Sequence, residues 1–366
     1  MNINKGIVYI MVIFMVIGAL DKMFGNKWGY GKQFEQGFMA MGPLALAMLG
    51  IVSLAPVIAW ILRPILLPVY SAIGADPAMF AGTFLALDMG GYSLAMELAE
   101  TEEAGLFSGL ILGSMMGATI VFTIPVALNI IEKKDYTFLA KGVLAGIITI
   151  PLGCFVGGIT AGFELSMILR SLTPIILVAG LIAFGLWRTP EKMIAGFDGF
   201  GKGVIGISMI GLIAGIVEEV TGLVVIPGML PITEGIEIVG SIAIILAGAF
   251  PMVYFIKTTF QTPLMKLGRL LGMGDVAAAG MISSLANNIA MFGMMKDMDE
   301  NGKVLNAAFA VGGAFVFGGQ LGFIAGVNEA MIVPVVVGKL VAGITAIAFA
   351  KRLMVMSSAK PRQDMI

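Results

Sequence analysis

Two short stretches hold the residues that could do chemistry in an otherwise apolar chain. In "TFLALDMGGYSLAMELAE" (83–100), Asp88 stands mid-run and Gly90 and Gly91 follow it. In "SLANNIAMFGMMK" (284–296), Asn287 and Asn288 occupy the matching place, 199 residues on (287 − 88). A carboxylate in an apolar span costs a few kcal/mol and is kept where it meets a counter-ion or a cavity. No basic residue lies in the same run, so a cationic ligand is the expected partner. A lysine from another helix (Lys257, Lys266 or Lys339) is the structural alternative. Gly90-Gly91 weakens the helix and frees backbone carbonyls. Tyr92 shares the Asp88 face if the helix continues across the glycines. Phe292 stands four beyond Asn288. An aromatic ring beside a carboxylate suits an ammonium group through cation–π attraction, though plain packing competes for both rings. The two amides could read a hydroxyl, or simply bond across helices.

Other acids are candidates for coupling or for the cavity. Asp21 and the Glu218-Glu219 pair sit within apolar segments, and Glu97 opens an acidic turn that reads as a solvated face. Asp76-Pro77 looks like a helix start, with Asp275 as its twin cap. Twelve residues separate Asp76 from Asp88, about 18 Å of helix. That is mid-depth in a hydrocarbon core of about 30 Å. "GMGD" (272–275) also fits the G-x-G-D pattern of intramembrane aspartyl proteases, with Asp88 as the second aspartate. A catalytic residue duplicated as a helix cap argues against it.

The elements that must position these groups follow from composition. Of 366 residues 58% are hydrophobic and only 12% charged, with a mean hydropathy of +1.00, against roughly a quarter charged in soluble domains. This predicts an all-α polytopic membrane protein with about 10–12 spans. Candidate spans are 6–24, 38–62, 77–97, 104–130, 138–161, 166–187, 203–226, 236–256, 276–295, 304–327 and 331–350. A re-entrant or additional spanning segment at 64–75 would change the count. Gly109, Gly113 and Gly117, and again Gly318, Gly322 and Gly326, form four-residue ladders read as packing faces.

Paired positions recur at offsets of 197 to 199, and predict two repeats of about five spans, each with a helix broken near the midplane. The first unit is 1–200 including a connecting span at 166–187, the second 201–353, and 354–366 a short basic tail. Six spans between twins make the repeats parallel. Lys133, Lys134 and a 188–202 loop carrying Arg188, Lys192 and Lys202 are expected in the cytoplasm. Net charge is −1 and histidine is absent, so no nucleic-acid footprint and no His-based catalysis or metal site is expected. No cofactor is called for, Cys154 reads as buried filler, and a homo-oligomer is left open.

The strings "QFEQGFMAMGPL", "PAMFAGTFLALDMGGY", "SGLILGSMMGATIVFTIPVAL" and "SLANNIAMFGMMK" closely resemble the ethanolamine-utilisation permease family, EutH, over nearly the whole chain. The resemblance implies a multi-pass carrier for ethanolamine in the cytoplasmic (inner) membrane, not an enzyme. It lends weight to Asp21, Asp88, Gly90, Gly91, Asn287 and Asn288, and adds Glu35 to the candidate coupling or cavity acids. Glu218, Glu219 and Glu329 fall outside the family pattern. No G-x-x-x-x-G-K-[ST] motif occurs, so an ATP-driven pump is not expected. A receptor or scaffold that binds the amine without moving it is the alternative.

Overall fold

A computed structural model describes residues 3–358, and every regular element among them is helical. In order these are α1 Ile3–Met23, α2 Tyr30–Met39, α3 Met41–Ala72, α4 Met79–Phe84, α5 Gly91–Leu98 and α6 Glu102–Ile130. Then follow α7 Lys133–Ala161, α8 Leu165–Arg188, α9 Pro190–Thr221, α10 Ile232–Thr259, α11 Gln261–Leu270 and α12 Asp275–Ser284. The chain closes with α13 Asn288–Met294, α14 Glu300–Gly312, α15 Gly319–Val327 and α16 Ile332–Ser358. Eight helices, counting α2 and α3 together, are long and apolar enough to cross a membrane. The protein is therefore an all-helical multi-pass membrane protein.

Spans 77–97 and 276–295 are broken where breaks are expected, into α4 and α5 and into α12 and α13, and a third span, 304–327, is split into α14 and α15 instead of running continuously. The third break, between Gly312 and Gly319, is not visible in the apolar pattern. Two boundaries also move. Segment 64–75 is no separate unit, because α3 runs on to Ala72 with Pro56, Pro64 and Pro68 inside it. The expected 188–202 loop is helical, since Pro190 occupies the first turn of α9, where its missing N–H costs nothing. The unit junction at 200/201 thus falls inside α9. The expected tail starts within α16, and Lys360 and Arg362 lie outside the described residues.

The central element is α6. Phe107, Leu110, Ile111, Leu112, Met115 and Met116 are fully buried in it. Residues Phe107–Gly117 and Thr119–Thr123 are π-helical, and the Ala118 N–H reaches the Gly113 carbonyl five residues back. Such long π segments are rare, and π turns gather at functional sites. The outer faces carry Ile13 on α1, Leu181 on α8 and Ile213 on α9 in exposed positions, as a lipid-facing surface requires. Lipid is as apolar as leucine, so close approach has to hold the helices together. A Cβ on Gly50 would lie 1.7 Å from the Ser208 carbonyl oxygen, so α3 and α9 touch backbone to backbone. Gly109 and Gly117 face the α4–α5 segment in the same way. Between α7 and α14, the Lys303 ammonium donates to the buried Asp135 carboxylate at 2.6 Å and lies 5.5 Å from the Phe138 ring centre.

Candidate functional site

Asp88 is held in a single helical turn, Leu87–Met89, between α4 and α5. Gly90 ends that turn with φ +80°, a left-handed backbone that an L side chain resists. A Cβ there would also stand 2.0 Å from Ile51 Cγ2, and one on Gly91 would be 2.6 Å from two carbonyl oxygens. Helix α4 therefore stops before Asp88 and α5 restarts after it. The second break matches it: α12 ends at Ser284, and Asn287 caps α13 by accepting the Ile289 N–H at 2.7 Å. The third break crosses the second. Phe315 and Phe317 donate backbone N–H groups to the Ser284 and Leu285 carbonyls, both at 2.9 Å. Phe315 itself has φ +58°, an outlier for a bulky residue.

Asp88 and Asn287 line one cavity of about 740 Å³, with Gln320, Phe315, Tyr254 and Lys257 on its walls. A smaller chamber of about 30 Å³ lies beyond, between Asp88, Ala118, Phe122, Phe315 and Gln320. The edge-to-face pair Phe122–Phe315, with ring centres 5.6 Å apart, borders it. Among the described residues no lysine or arginine nitrogen lies within 4.0 Å of the Asp88 carboxylate. Lys339 interacts with it electrostatically from α16, but donates its own hydrogen bond to the Ser114 carbonyl at 2.6 Å. Lys257 shares the cavity without pairing.

The other expected site residues divide. Tyr92 does not share the Asp88 face, because the chain does not stay helical through Gly90; its ring packs edge-on against Phe323. Phe292 is buried away from the cavity. Asn288 is fully buried and its Nδ2 donates to the Thr123 hydroxyl at 3.2 Å, so it ties α13 to α6. The Asp21 carboxylate accepts the Trp28 and Gly31 N–H groups at 3.0 and 2.9 Å, which fixes the loop after α1. Glu35 pairs with Lys22. Glu97 and Glu218 are half-buried, and neither lines the cavity. Asp76 accepts the Ala78 and Glu100 N–H groups at 2.8 and 2.9 Å. Asp275 is no twin cap: it begins α12 and binds Arg269 at 2.7 Å, while Asp299 accepts the Gly274 N–H. Asp275 is exposed and does not line the Asp88 cavity, so the two do not form the shared site a two-aspartate protease needs.

Sequence reasoning missed the cavity's aromatic rings, Phe250, Tyr254 and Phe315, and most of its polar lining, Gln33, Gln36, Thr258, Gln261, Ser283 and Gln320. Gln320 is 3% exposed and its Oε1 has no hydrogen-bond partner. One signal was available. "FGGQLGF" repeats the pattern of a polar residue beside a glycine pair that marks Asp88. The cavity as a whole carries one carboxylate, the amides of Gln33, Gln36, Gln261, Asn287 and Gln320, the Lys257 ammonium and three aromatic rings, and the side around Asp88 and the rings suits a small hydrophilic cation.

The family model described as "Ethanolamine utilisation protein, EutH" matches residues 3–353. The chain is 62% identical over 364 residues to the probable ethanolamine permease EutH of Listeria monocytogenes, covering 98% of each chain. It is 49% identical over 402 residues to the probable ethanolamine permease EutH of Escherichia coli, covering 100% of this chain and 97% of that one. It is 53% identical over 363 residues to the uncharacterized protein YxeR of Bacillus subtilis, covering 99% and 98%. No solved structure matches the chain.

Proposed function

The chain belongs to the EutH family of ethanolamine utilisation proteins, and on that premise we propose that it is a secondary carrier or facilitator for protonated ethanolamine in the cytoplasmic membrane. Two of the relatives bear the name probable ethanolamine permease, which supports a carrier and not an enzyme. At neutral pH a primary amine is mostly an ammonium ion, which crosses lipid poorly. The observation that carries the reading is Asp88: a carboxylate without an ion-pair partner on the wall of a 740 Å³ cavity, between two half-helices. The ammonium docks on Asp88 with the aromatic walls beside it. The hydroxyl is read by the side-chain amides of Asn287 and Gln320, each of which can donate and accept.

A duplicated architecture is part of this reading. The breaks after α4 and after α12 fall at similar offsets, 200 residues at their starts (284 − 84) and 197 at their ends (288 − 91), and Asp88 and Asn287 from them line the cavity. The half-helices on the two sides of this site then move against each other.

Uptake of labelled ethanolamine by purified protein in liposomes, with and without imposed proton or sodium gradients, tests the proposal. Flux that saturates and needs Asp88 is the expected result. Protein that binds the amine but never moves it would be a receptor, and the carrier reading would fall.

A further inference from the structure

A second large cavity lies away from Asp88, at the end of the bundle where α6 and α8 finish and α7 and α9 begin. It measures about 790 Å³. Its floor is apolar, formed by Leu128, Leu144, Leu186 and Ile194. Its rim is polar and carries Lys133, Lys141 and Lys202 against Glu191 and Asp198. Asp198 is already taken, since it pairs with Lys202 one turn away. Among the described residues neither Lys133 nor Lys141 makes an ion pair, and both are exposed. The rim therefore keeps two free cations against one free acid. Beside it stands Trp187, 70% exposed and packed on the exposed Phe184 with ring centres 6.1 Å apart.

Each feature constrains the occupant. An open apolar groove facing the lipid layer is filled by something apolar. The rim lies where Lys133, Lys134, Arg188, Lys192 and Lys202 cluster, which is the cytoplasmic end by the positive-inside rule. Trp187 marks the headgroup level, where amphipathic aromatic residues collect. Basic pockets between spanning helices on that side take anionic headgroups. The substrate of the Asp88 cavity is a cation and is repelled here.

We propose that this groove binds an anionic phospholipid, with the phosphate between Lys133 and Lys141 and an acyl chain along the Leu128–Leu144–Leu186–Ile194 floor. The site is independent of the Asp88 cavity and of what that cavity carries. The bound lipid fills the gap between α7, α8 and α9, so it holds these helices in one arrangement.

Native mass spectrometry of the full chain in detergent tests this, with phosphatidylglycerol, phosphatidylcholine and inorganic phosphate in separate titrations. Phosphatidylglycerol should be retained and the other two should not. Each lysine near an anionic headgroup contributes roughly a fivefold preference, so Lys133→Gln with Lys141→Gln should lower the preference about 25-fold. Both side chains are exposed and unpaired, so the melting temperature without lipid should stay near wild type. Ala195→Trp, on the exposed groove wall, should displace the lipid while leaving every charge in place. Undiminished phosphatidylglycerol preference in both variants overturns the proposal. Inorganic phosphate binding as tightly as the lipid, or a dimer that buries Trp187 and excludes lipid, overturns it too.

Discussion

Asp88 and Lys339 act on each other electrostatically, yet they do not touch: the carboxylate lies beyond 4.0 Å of the ammonium, which donates to the Ser114 carbonyl instead. Lys339 is 2% exposed. The arrangement leaves the carboxylate open to a second cation while the lysine keeps a counter-charge within reach. Direct contact would force the incoming ammonium to break a buried ion pair first, which is costly.

This relation gives the first prediction. Asp88→Asn should weaken ethanolamine binding by one to two orders of magnitude, from the roughly 1.5–3 kcal/mol of a charge-assisted hydrogen bond. It should also lower the melting temperature, because Lys339 then has only a carbonyl to answer its charge. Adding Lys339→Met should restore the melting temperature and leave binding weak. Binding assays and thermal melts on the three proteins separate the two effects. Normal uptake by folded Asp88→Asn would remove the carboxylate from the mechanism.

The neighbouring amides should behave differently from each other. Asn288 is buried against Thr123, so Asn288→Leu should destabilise the fold by about 1–3 kcal/mol and leave selectivity alone. Asn287 faces the cavity but also caps α13. Serine caps about as well as asparagine but lacks the amide N–H donors. Asn287→Ser should therefore melt normally and show a smaller preference for ethanolamine over ethylamine. Competition by ethylamine against labelled ethanolamine reads this directly. An unchanged preference would reduce Asn287 to a helix cap.

Asp88 and Asn287 were legible because a polar side chain in an apolar run has few explanations. Tyr92 and Phe292 lie off the cavity for different reasons: Phe292 does follow Asn288 on α13, but Asn288 itself is turned into the protein against Thr123. Helical spacing sets Tyr92 beside Asp88 only on an unbroken helix, and Gly90 at φ +80° ends that helix. Asp275 misled because an acid at a helix start can cap it or pair outward, and sequence does not say that Arg269 is near. The rings of Phe250 and Tyr254 gave no signal, since an aromatic on a long apolar helix looks the same whether it faces lipid, protein or a cavity. The π-helical stretch of α6 is equally silent, because hydropathy carries no record of backbone register. The third break was hidden by Gly318, Gly322 and Gly326. Gly322 and Gly326 do pack against Leu246 and Ile242 of α10. Gly318 instead lies against the second break, where a Cβ would be 2.0 Å from the Ala286 carbonyl oxygen.

The first break can be tested at its glycine. Gly90→Ala places a methyl group 2.0 Å from Ile51 Cγ2 and forces a left-handed alanine. The backbone alone costs about 1–2 kcal/mol, and the clash adds to it. The variant should melt early and lose uptake. Ile51→Ala in the same protein should relieve the clash but not the backbone, so recovery should be partial. Full recovery would mean that the left-handed turn at Gly90 is not needed to present Asp88.

Gln320 separates a substrate-reading role from a structural one by the sign of its stability effect. Its Oε1 is buried with no hydrogen-bond partner among the described residues, and such a group costs stability. Replacing it with an apolar side chain removes that cost, so Gln320→Leu should melt at or above the wild-type temperature. The same change removes a hydrogen-bonding group from the wall beside Asp88. A net hydrogen bond is worth about 0.5–1.5 kcal/mol, so ethanolamine affinity should fall about two- to tenfold. Gln320→Glu keeps the shape and adds a second acceptor charge, and should tighten binding of the ammonium. Calorimetric titration and thermal melts on the two variants decide the matter. A stabilised Gln320→Leu protein with undiminished affinity would show that the amide faces the cavity without ever meeting the substrate.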